Sequence, residues 1–325
     1  MREFDHLLYV QIISLLKLSL IHISIWGGSR LKEVYGYDIP SDHTGECWAI
    51  SAHKSGDGRV ASGTYKGQTL SSLWENHPEL FGAEGAEGVF PLLVKIIDAK
   101  SDLSIQVHPD DVYAGANENG SLGKMECWYI LDCDPDATIV VGHNAKDHDE
   151  MVRMIEEKRW GEFIRQIPIK KGDFFQINPG CVHAIKGGTL SLETQQSSDI
   201  TYRVYDYDRL SDGKPRPLHV KQSIDVIRAP YKADEGKGPQ VTVDNGHVVK
   251  THLVTCPRYT VVKLDVADAW EETFPAGFAN VSVLEGEGSV NGTPIRKGQH
   301  FIVPAGYGTC RFEGRLSLIC SWPEA

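Results

Sequence analysis

Lys170-Lys-Gly-Asp-Phe-Phe-Gln-Ile-Asn-Pro-Gly-Cys-Val-His183 reads as a turn, a strand, a Pro-Gly turn and a histidine entering the next strand. Within it, Lys171-Gly-Asp-Phe-Phe-Gln-Ile-Asn-Pro-Gly180 aligns with Lys297-Gly-Gln-His-Phe-Ile-Val-Pro-Ala-Gly306, glycine for glycine at both ends. Two copies of a turn, strand, turn unit predict two barrels built alike. His183 falls opposite Thr309, so the second copy repeats the scaffold without that candidate metal ligand.

Strand texture extends outward from both copies. Residues 91–98 read as a buried strand that leads into 103–108, where Ser104, Gln106 and His108 alternate with Leu103, Ile105 and Val107. A polar row backed by an apolar row suits a site inside a barrel. Residues 123–131 begin another strand, with Lys124, Glu126, Trp128 and Ile130 on one face, and 138–142 form a further one. Met151, Met154, Ile155, Phe163 and Ile164 change to helical spacing, so 147–167 reads as a helical excursion. Strands resume over 189–196 and in 197–208, where Ile200, Tyr202 and Val204 alternate with Thr201, Arg203 and Tyr205. Residues 229–246 read as a connection, followed by short strands at 259–266, 278–284, 288–290, 299–303 and 316–321. The expectation is an all-β chain of two barrels with a short helical insertion. Residues 25–228 form the metal-bearing domain and 229–325 a second domain without metal ligands, to which N-terminal strands can cross over.

With 325 residues, 41% of them hydrophobic, the chain can bury two cores. Its formal charge of -11 argues against a nucleic-acid surface and leaves only local basic pockets for anions. Seven scattered cysteines without a CxxC pair suit a reducing cytoplasm and exclude a zinc finger. Residues 1–24 are atypically apolar, yet Gln11, Lys17 and His22 interrupt the run and no cleavage pattern follows. A strand and helix combination fits them better than a membrane span or anchor. No G-x-G-x-x-G, phosphate loop, G-x-S-x-G elbow or H-E-x-x-H occurs, which weakens dinucleotide, nucleotide and serine-hydrolase readings.

Gln106, His108, Glu126 and His183 can converge if their strands neighbour one another. Two imidazoles and a carboxylate suit zinc, with an amide or water completing the shell, and the same donors suit iron or manganese. Each residue also has a plainer use: His108 as a capping or core histidine, Gln106 as an interior hydrogen-bonding group, Glu126 as an ion-pair partner, His183 as a turn stabiliser. Lys124 can bind a substrate phosphate or pair with Glu126. Arg203 offers a fixed fork to an oxyanion, or pairs with Asp199 or Asp206. Glu193 sits where the strand after His183 returns past the metal and is a candidate base, and Ser104 is a weaker site residue. His143, His148, His219 and His300 read as surface or structural.

The chain resembles the class I mannose-6-phosphate isomerases, in particular their short bacterial form. The resemblance rests on Trp26-Gly-Gly28, Gly45-Glu-Cys-Trp48, Leu103-Ser-Ile-Gln-Val-His-Pro-Asp110, Gly123-Lys-Met-Glu-Cys-Trp-Tyr129, Pro179-Gly-Cys-Val-His-Ala184 and Gln195-Gln-Ser-Ser-Asp-Ile-Thr-Tyr-Arg-Val-Tyr-Asp206. It implies the cupin fold, with jelly-roll barrels, and a single zinc ion per chain held by Gln106, His108, Glu126 and His183. It further implies that Arg203 is catalytic, that Ser104 and Lys124 line the substrate site, and that Glu193 carries a proton. The implied reaction interconverts mannose 6-phosphate and fructose 6-phosphate through a cis-enediol. The alternatives are an iron-dependent cupin oxygenase and a non-catalytic sugar-binding or regulatory cupin. The expected partner is a hexose phosphate, and monomer and homodimer both remain open.

Overall fold

This computed structural model describes residues 8–10, 23–82, 88–211, 213–233, 238–274 and 277–324. Two antiparallel sheets face each other in the N-terminal half. One runs Ile164–Pro168, Thr138–His143, His183–Ile185, Ile105–Val107, Tyr202–Tyr205. The other runs Phe174–Ile177, Glu126–Cys133, Thr189–Gln196, Leu92–Ala99, Ile23–Gly28, with Glu46–Ile50 also paired on Leu92–Ala99.

Side chains on a strand reverse at every residue, and that alternation decides what each sheet face does. From strand Leu92–Ala99, Leu92, Val94 and Ile96 join the core shared with the C-terminal half, whereas Ile97 and Ala99 join the core between the two sheets. Cys127 and Leu131 likewise face the C-terminal half while Trp128 and Ile130 face inward. On the other sheet, Ile105, Val107, Val140, Tyr202 and Val204 pack outward with Met151 and Ile155 of helix His148–Glu156. Each sheet is therefore covered on both faces, and Leu92–Ala99 accordingly reads as a nearly continuous apolar run. The inward polar residues stand out against that background.

The C-terminal half is one nine-stranded sheet, ordered Leu8–Val10, His300–Val303, Ala279–Val290, Thr309–Pro323, Tyr259–Val266, Val248–Thr255, Gln240–Asp244. Ala269–Thr273 and Thr293–Arg296 pair onto its two long strands. Val281 and Val283 from one part of a long strand, and Val290 from the other, share one apolar core with Phe301, Phe312 and Leu318. The halves meet at Trp74, Phe81, Phe90 and Phe278, where the Phe90 and Phe278 rings are 5.1 Å apart.

Several expectations need correction. Among the described residues no ladder joins the edges of the two facing sheets, so the N-terminal half is an open pair of sheets and not a closed barrel. Of the helical excursion at 147–167, His148–Glu156 and Trp160–Phe163 are helical, but Ile164–Pro168 is a strand on Thr138–His143. Ile164 and Ile167 fit a helical stripe and an edge strand equally well, and the open edge of Thr138–His143 decides. Leu103 precedes its strand and packs inward with Trp128, apart from the outward face of Ile105 and Val107. The short strands expected at 278–284 and 288–290 are one strand, Ala279–Val290, because Gly286 and Gly288 serve close backbone approach: an added Cβ would lie 1.8 Å from the Arg315 oxygen or 2.0 Å from that of Glu313.

Of the apolar segment 1–24, the backbone of Leu8–Val10 lies antiparallel to His300–Val303, and most of the remainder lies outside the described residues. No helix among the described residues is long and apolar enough to cross a membrane. All seven cysteines are free.

Candidate metal centre and substrate cleft

Strand register assembles the site. Gln106 is directly opposite His183 on one side and Arg203 on the other, so Arg203, Gln106 and His183 form one row across three strands. Across from them, Trp48, Lys95, Glu193, Trp128 and Phe175 form a second row. Residues paired in this way project from the same sheet face. Between the sheets lies a cleft of ≈ 420 Å³ lined by Ser104, Gln106, Lys124, Glu193 and Arg203, together with Lys95, Glu46, Trp48 and Arg216.

Buried beside this cleft, His108, Glu126 and His183 bring their ligand atoms within 4.8 Å of one another. The Nε2 atoms of His108 and His183 are 3.1 Å apart. Glu126 Oε2 is 3.4 Å from His108 Nε2, its Oε1 is 3.4 Å from His183 Nε2, and the Gln106 amide nitrogen is 3.3 Å from the latter. Tetrahedral ligands held about 2.1 Å from one ion lie roughly 3.4 Å from each other. His108, Glu126 and His183 therefore already have the spacing that a small divalent cation demands, and the Gln106 amide, turned to present its oxygen, stands next to His183 to join them. A carbonyl can only accept, so His183 Nδ1–H donates to Cys181 O at 2.8 Å and leaves the Nε2 lone pair facing the centre. Both carboxylate oxygens of Glu126 are buried without an aligned hydrogen bond, as expected of a group built to ligate. Burial alone would raise the Glu126 carboxyl, but Lys124 and the flanking imidazoles hold it well below the usual range. Burial and the Lys124 ammonium push His108 down to about 3, so it stays neutral and able to ligate.

Lys124 Nζ lies 2.7 Å from Glu126 Oε2 and 3.1 Å from His108 Nε2, so the ion pair read as its plainer use is formed while the ammonium also borders the cleft. Glu193 Oε2 accepts a hydrogen bond of 2.9 Å from Trp128 Nε1. Its Oε1, 3.4 Å from Lys95 Nζ and 3.9 Å from Lys124 Nζ, has no aligned hydrogen bond. Burial and the Glu126 charge raise the Glu193 carboxyl above its ordinary value. Arg203 donates from Nη1 to Pro217 O at 2.8 Å, and its buried Nε is unpartnered. Asp206 instead takes Arg209 and Arg216, and Asp199 accepts from Ser55, so neither expected acidic partner holds Arg203. Burial and the nearby Arg216 charge lower the Arg203 pKa.

Every sequence-selected residue except the buried triad lines the cleft directly, and the triad adjoins it through Gln106 and Lys124. Lys95, Glu46 and Arg216 escaped the sequence reading. A lysine inside the apolar run Leu-Leu-Val-Lys-Ile-Ile was the available signal for Lys95, whose ammonium lies 5.0 Å from the Trp48 ring centre and 3.6 Å from Glu46 Oε2. His143 bonds Arg228 O, His219 accepts from the Arg203 backbone, and His300 is buried in the C-terminal half.

Comparison with known proteins finds similar chains along most of this one. Residues 15–131 match the family model of the phosphomannose isomerase type I catalytic domain, and 249–323 match the mannose-6-phosphate isomerase cupin domain. The chain is 47% identical over 303 residues to mannose-6-phosphate isomerase ManA of Bacillus subtilis strain 168, covering 91% of this chain and 95% of that one. It is 45% identical over 311 residues to the mannose-6-phosphate isomerase of Streptococcus mutans, covering 93% and 96%. The crystal structure of the Bacillus subtilis mannose 6-phosphate isomerase superposes with a TM-score of 0.89 at 45% identity, over 93% of this chain and 97% of that one. A phosphomannose isomerase variant from Salmonella typhimurium shares the fold, with a TM-score of 0.75 at 15% identity over 94% and 98%.

Proposed function

This chain belongs to the type I phosphomannose isomerases, and we propose that it interconverts mannose 6-phosphate and fructose 6-phosphate in the cleft between the two N-terminal sheets. The observation that carries this reading is the facing of two rows: Arg203, Gln106 and His183 on one sheet, Lys95, Glu193 and Trp128 on the other. A base, cations and a metal-ligand set thus converge on one cavity of sugar-phosphate size. The finer fold assignment, two cupin-type jelly rolls of which only the first binds metal, belongs to the same reading.

The donor set fits zinc, which when bound by Gln106, His108, Glu126 and His183 would supply a Lewis acid that draws charge onto the sugar oxygens. The chain's own residues supply the rest. Glu193 Oε1, free of an aligned partner, takes the C2 proton of the opened aldose and returns it to C1, while the O2 hydroxyl proton passes to O1. The cis-enediol is the intermediate, and no oxidant is consumed. Trp128 Nε1 fixes Glu193 by its other oxygen, and burial raises the carboxyl toward the operating range of a general base. Lys124 and Lys95 flank that oxygen and offset negative charge as it develops. Arg203, with an unpartnered Nε, and Ser104 hold the substrate's polar groups.

The test is metal-depleted protein given mannose 6-phosphate in deuterated buffer, with zinc, iron(II), manganese or no ion restored, following label at C2 and formation of fructose 6-phosphate. Zinc-restored interconversion with label exchange is expected. No interconversion of any hexose phosphate with any ion would overturn the reading, and oxygen consumption with iron would move it to the oxygenases.

A further inference from the structure

Arg258 lies in the turn between strands Val248–Thr255 and Tyr259–Val266 of the C-terminal half, far along the chain from the cleft. Its guanidinium nevertheless pairs with the carboxylate of Asp111, just after the His108-Pro-Asp110 segment. Asp111 Oδ1 accepts from the Gly123 backbone N–H at 2.7 Å and from Gln196 Nε2 at 3.0 Å. Gln196 Oε1 in turn accepts from the Met125 N–H at 2.9 Å. The residue between those two amides is Lys124, whose own N–H bonds Pro109 O at 3.0 Å. The backbone N–H groups of both neighbours of Lys124, Gly123 and Met125, are thus held by one network, and Arg258 closes it from the opposite half of the molecule.

We propose that Arg258 is a positioning residue for the isomerisation: through Asp111 and Gln196 it fixes the 123–125 backbone and so sets where the Lys124 ammonium stands between Glu126 and the substrate. This rests on the reading of Lys124 as a substrate-facing cation. The pair itself is part-exposed, at 47% for Arg258 and 28% for Asp111, and such ion pairs contribute little to stability. Misplacing a catalytic group by about 1 Å, by contrast, costs on the order of 10²-fold in rate. Function and folding therefore separate at this residue. The geometry also gives the metal-free half a share in the chemistry of the other half.

The experiment is a double-mutant cycle on the metal-loaded full chain with mannose 6-phosphate as substrate, using Arg258→Ala, Lys124→Ala and the double variant. Arg258→Ala is expected to lower kcat/KM roughly 10- to 100-fold with unchanged metal content, to be largely rescued by Arg258→Lys, and to add nothing once Lys124 is alanine. Asp111→Asn keeps an oxygen for Gly123 and Gln196 but weakens the hold of Arg258, and it should reproduce the loss if the alanine variant folds poorly. Normal kcat/KM in Arg258→Ala, or a loss that persists in full on the Lys124→Ala background, overturns the tether while leaving Lys124 in place. A Lys124→Ala enzyme with normal turnover overturns the reading of Lys124 and the tether with it.

Discussion

The two turn, strand, turn units at 171–180 and 297–306 are built alike but packed with different chemistry. Gly172 and Gly298 have φ of 91° and 82°, Gly180 and Gly306 have 83° and 68°, so the same four corners need glycine. Between them, Phe174–Ile177 and His300–Val303 are four-residue strands, and Phe175 and Phe301 face the inner cores of their own halves. Past the second corner they diverge. His183 is fully buried among donor atoms, whereas Thr309 is exposed and bonds another exposed hydroxyl, Thr273. Around the second unit the core is apolar, from Val281 and Phe312 to Leu318. The repeated unit thus borders an inward polar row and a cleft in one half and an apolar core in the other, and the two copies part at the aligned residues His183 and Thr309.

Exchanging chemistry between the units tests that claim. Giving the first unit the residue of the second, His183→Thr, should produce the largest effect, with turnover of mannose 6-phosphate falling to background in the C2-exchange assay. Glu193→Gln should come next, lowering kcat by about 10²- to 10⁴-fold with metal content unchanged. Because burial raises the Glu193 carboxyl, the wild-type kcat/KM should fall on the acid side through a value above the usual carboxylate range, as the base form is lost. That limb should be absent from the residual activity of Glu193→Gln.

The buried imidazole of the second unit gives a smaller, purely structural effect. His300 bonds Ser282 Oγ at 2.8 Å and lies 3.0 Å from Tyr37 Oη, and burial lowers its pKa to about 3. An unfolded histidine titrates near 6.5, so between about 6.5 and about 3 the unfolded chain takes up a proton that the folded one refuses. Stability should therefore decline as pH falls through that window. His300→Gln should flatten that part of the denaturation profile whatever it does to the absolute level. The reciprocal graft, Thr309→His, should change least: exposed substitutions stay within roughly 0.5 kcal/mol, and no second ion should bind because, among the described residues, no cluster of three potential metal ligands lies at that position.

Much of this comparison is legible in the sequence. The period-two alternation of Gln106 and His108, the Lys124, Glu126 and Trp128 face, and the return of Glu193 after His183 are local patterns, and strand geometry brings Gln106, Lys124, Trp128 and Glu193 to the cleft with His108 and Glu126 buried beside it. What escaped depends on contacts that are distant in sequence. Lys95 is a lone cation in an apolar run, and only the register of Leu92–Ala99 against Thr189–Gln196 places it beside Glu193. The Arg258 to Asp111 pair spans two halves and has no sequence period at all. Nor did the sequence show that Glu285-Gly-Glu-Gly288 continues a strand, since glycines that admit a neighbouring backbone look like those of a turn.

The most direct test of the central claim, that one unit holds the ion and its twin does not, is the metal content per chain of wild type, His183→Gln and Thr309→His purified side by side. A single ion in wild type and in Thr309→His, with none in His183→Gln, is the predicted result. A full complement of metal with unimpaired turnover in His183→Gln would contradict it.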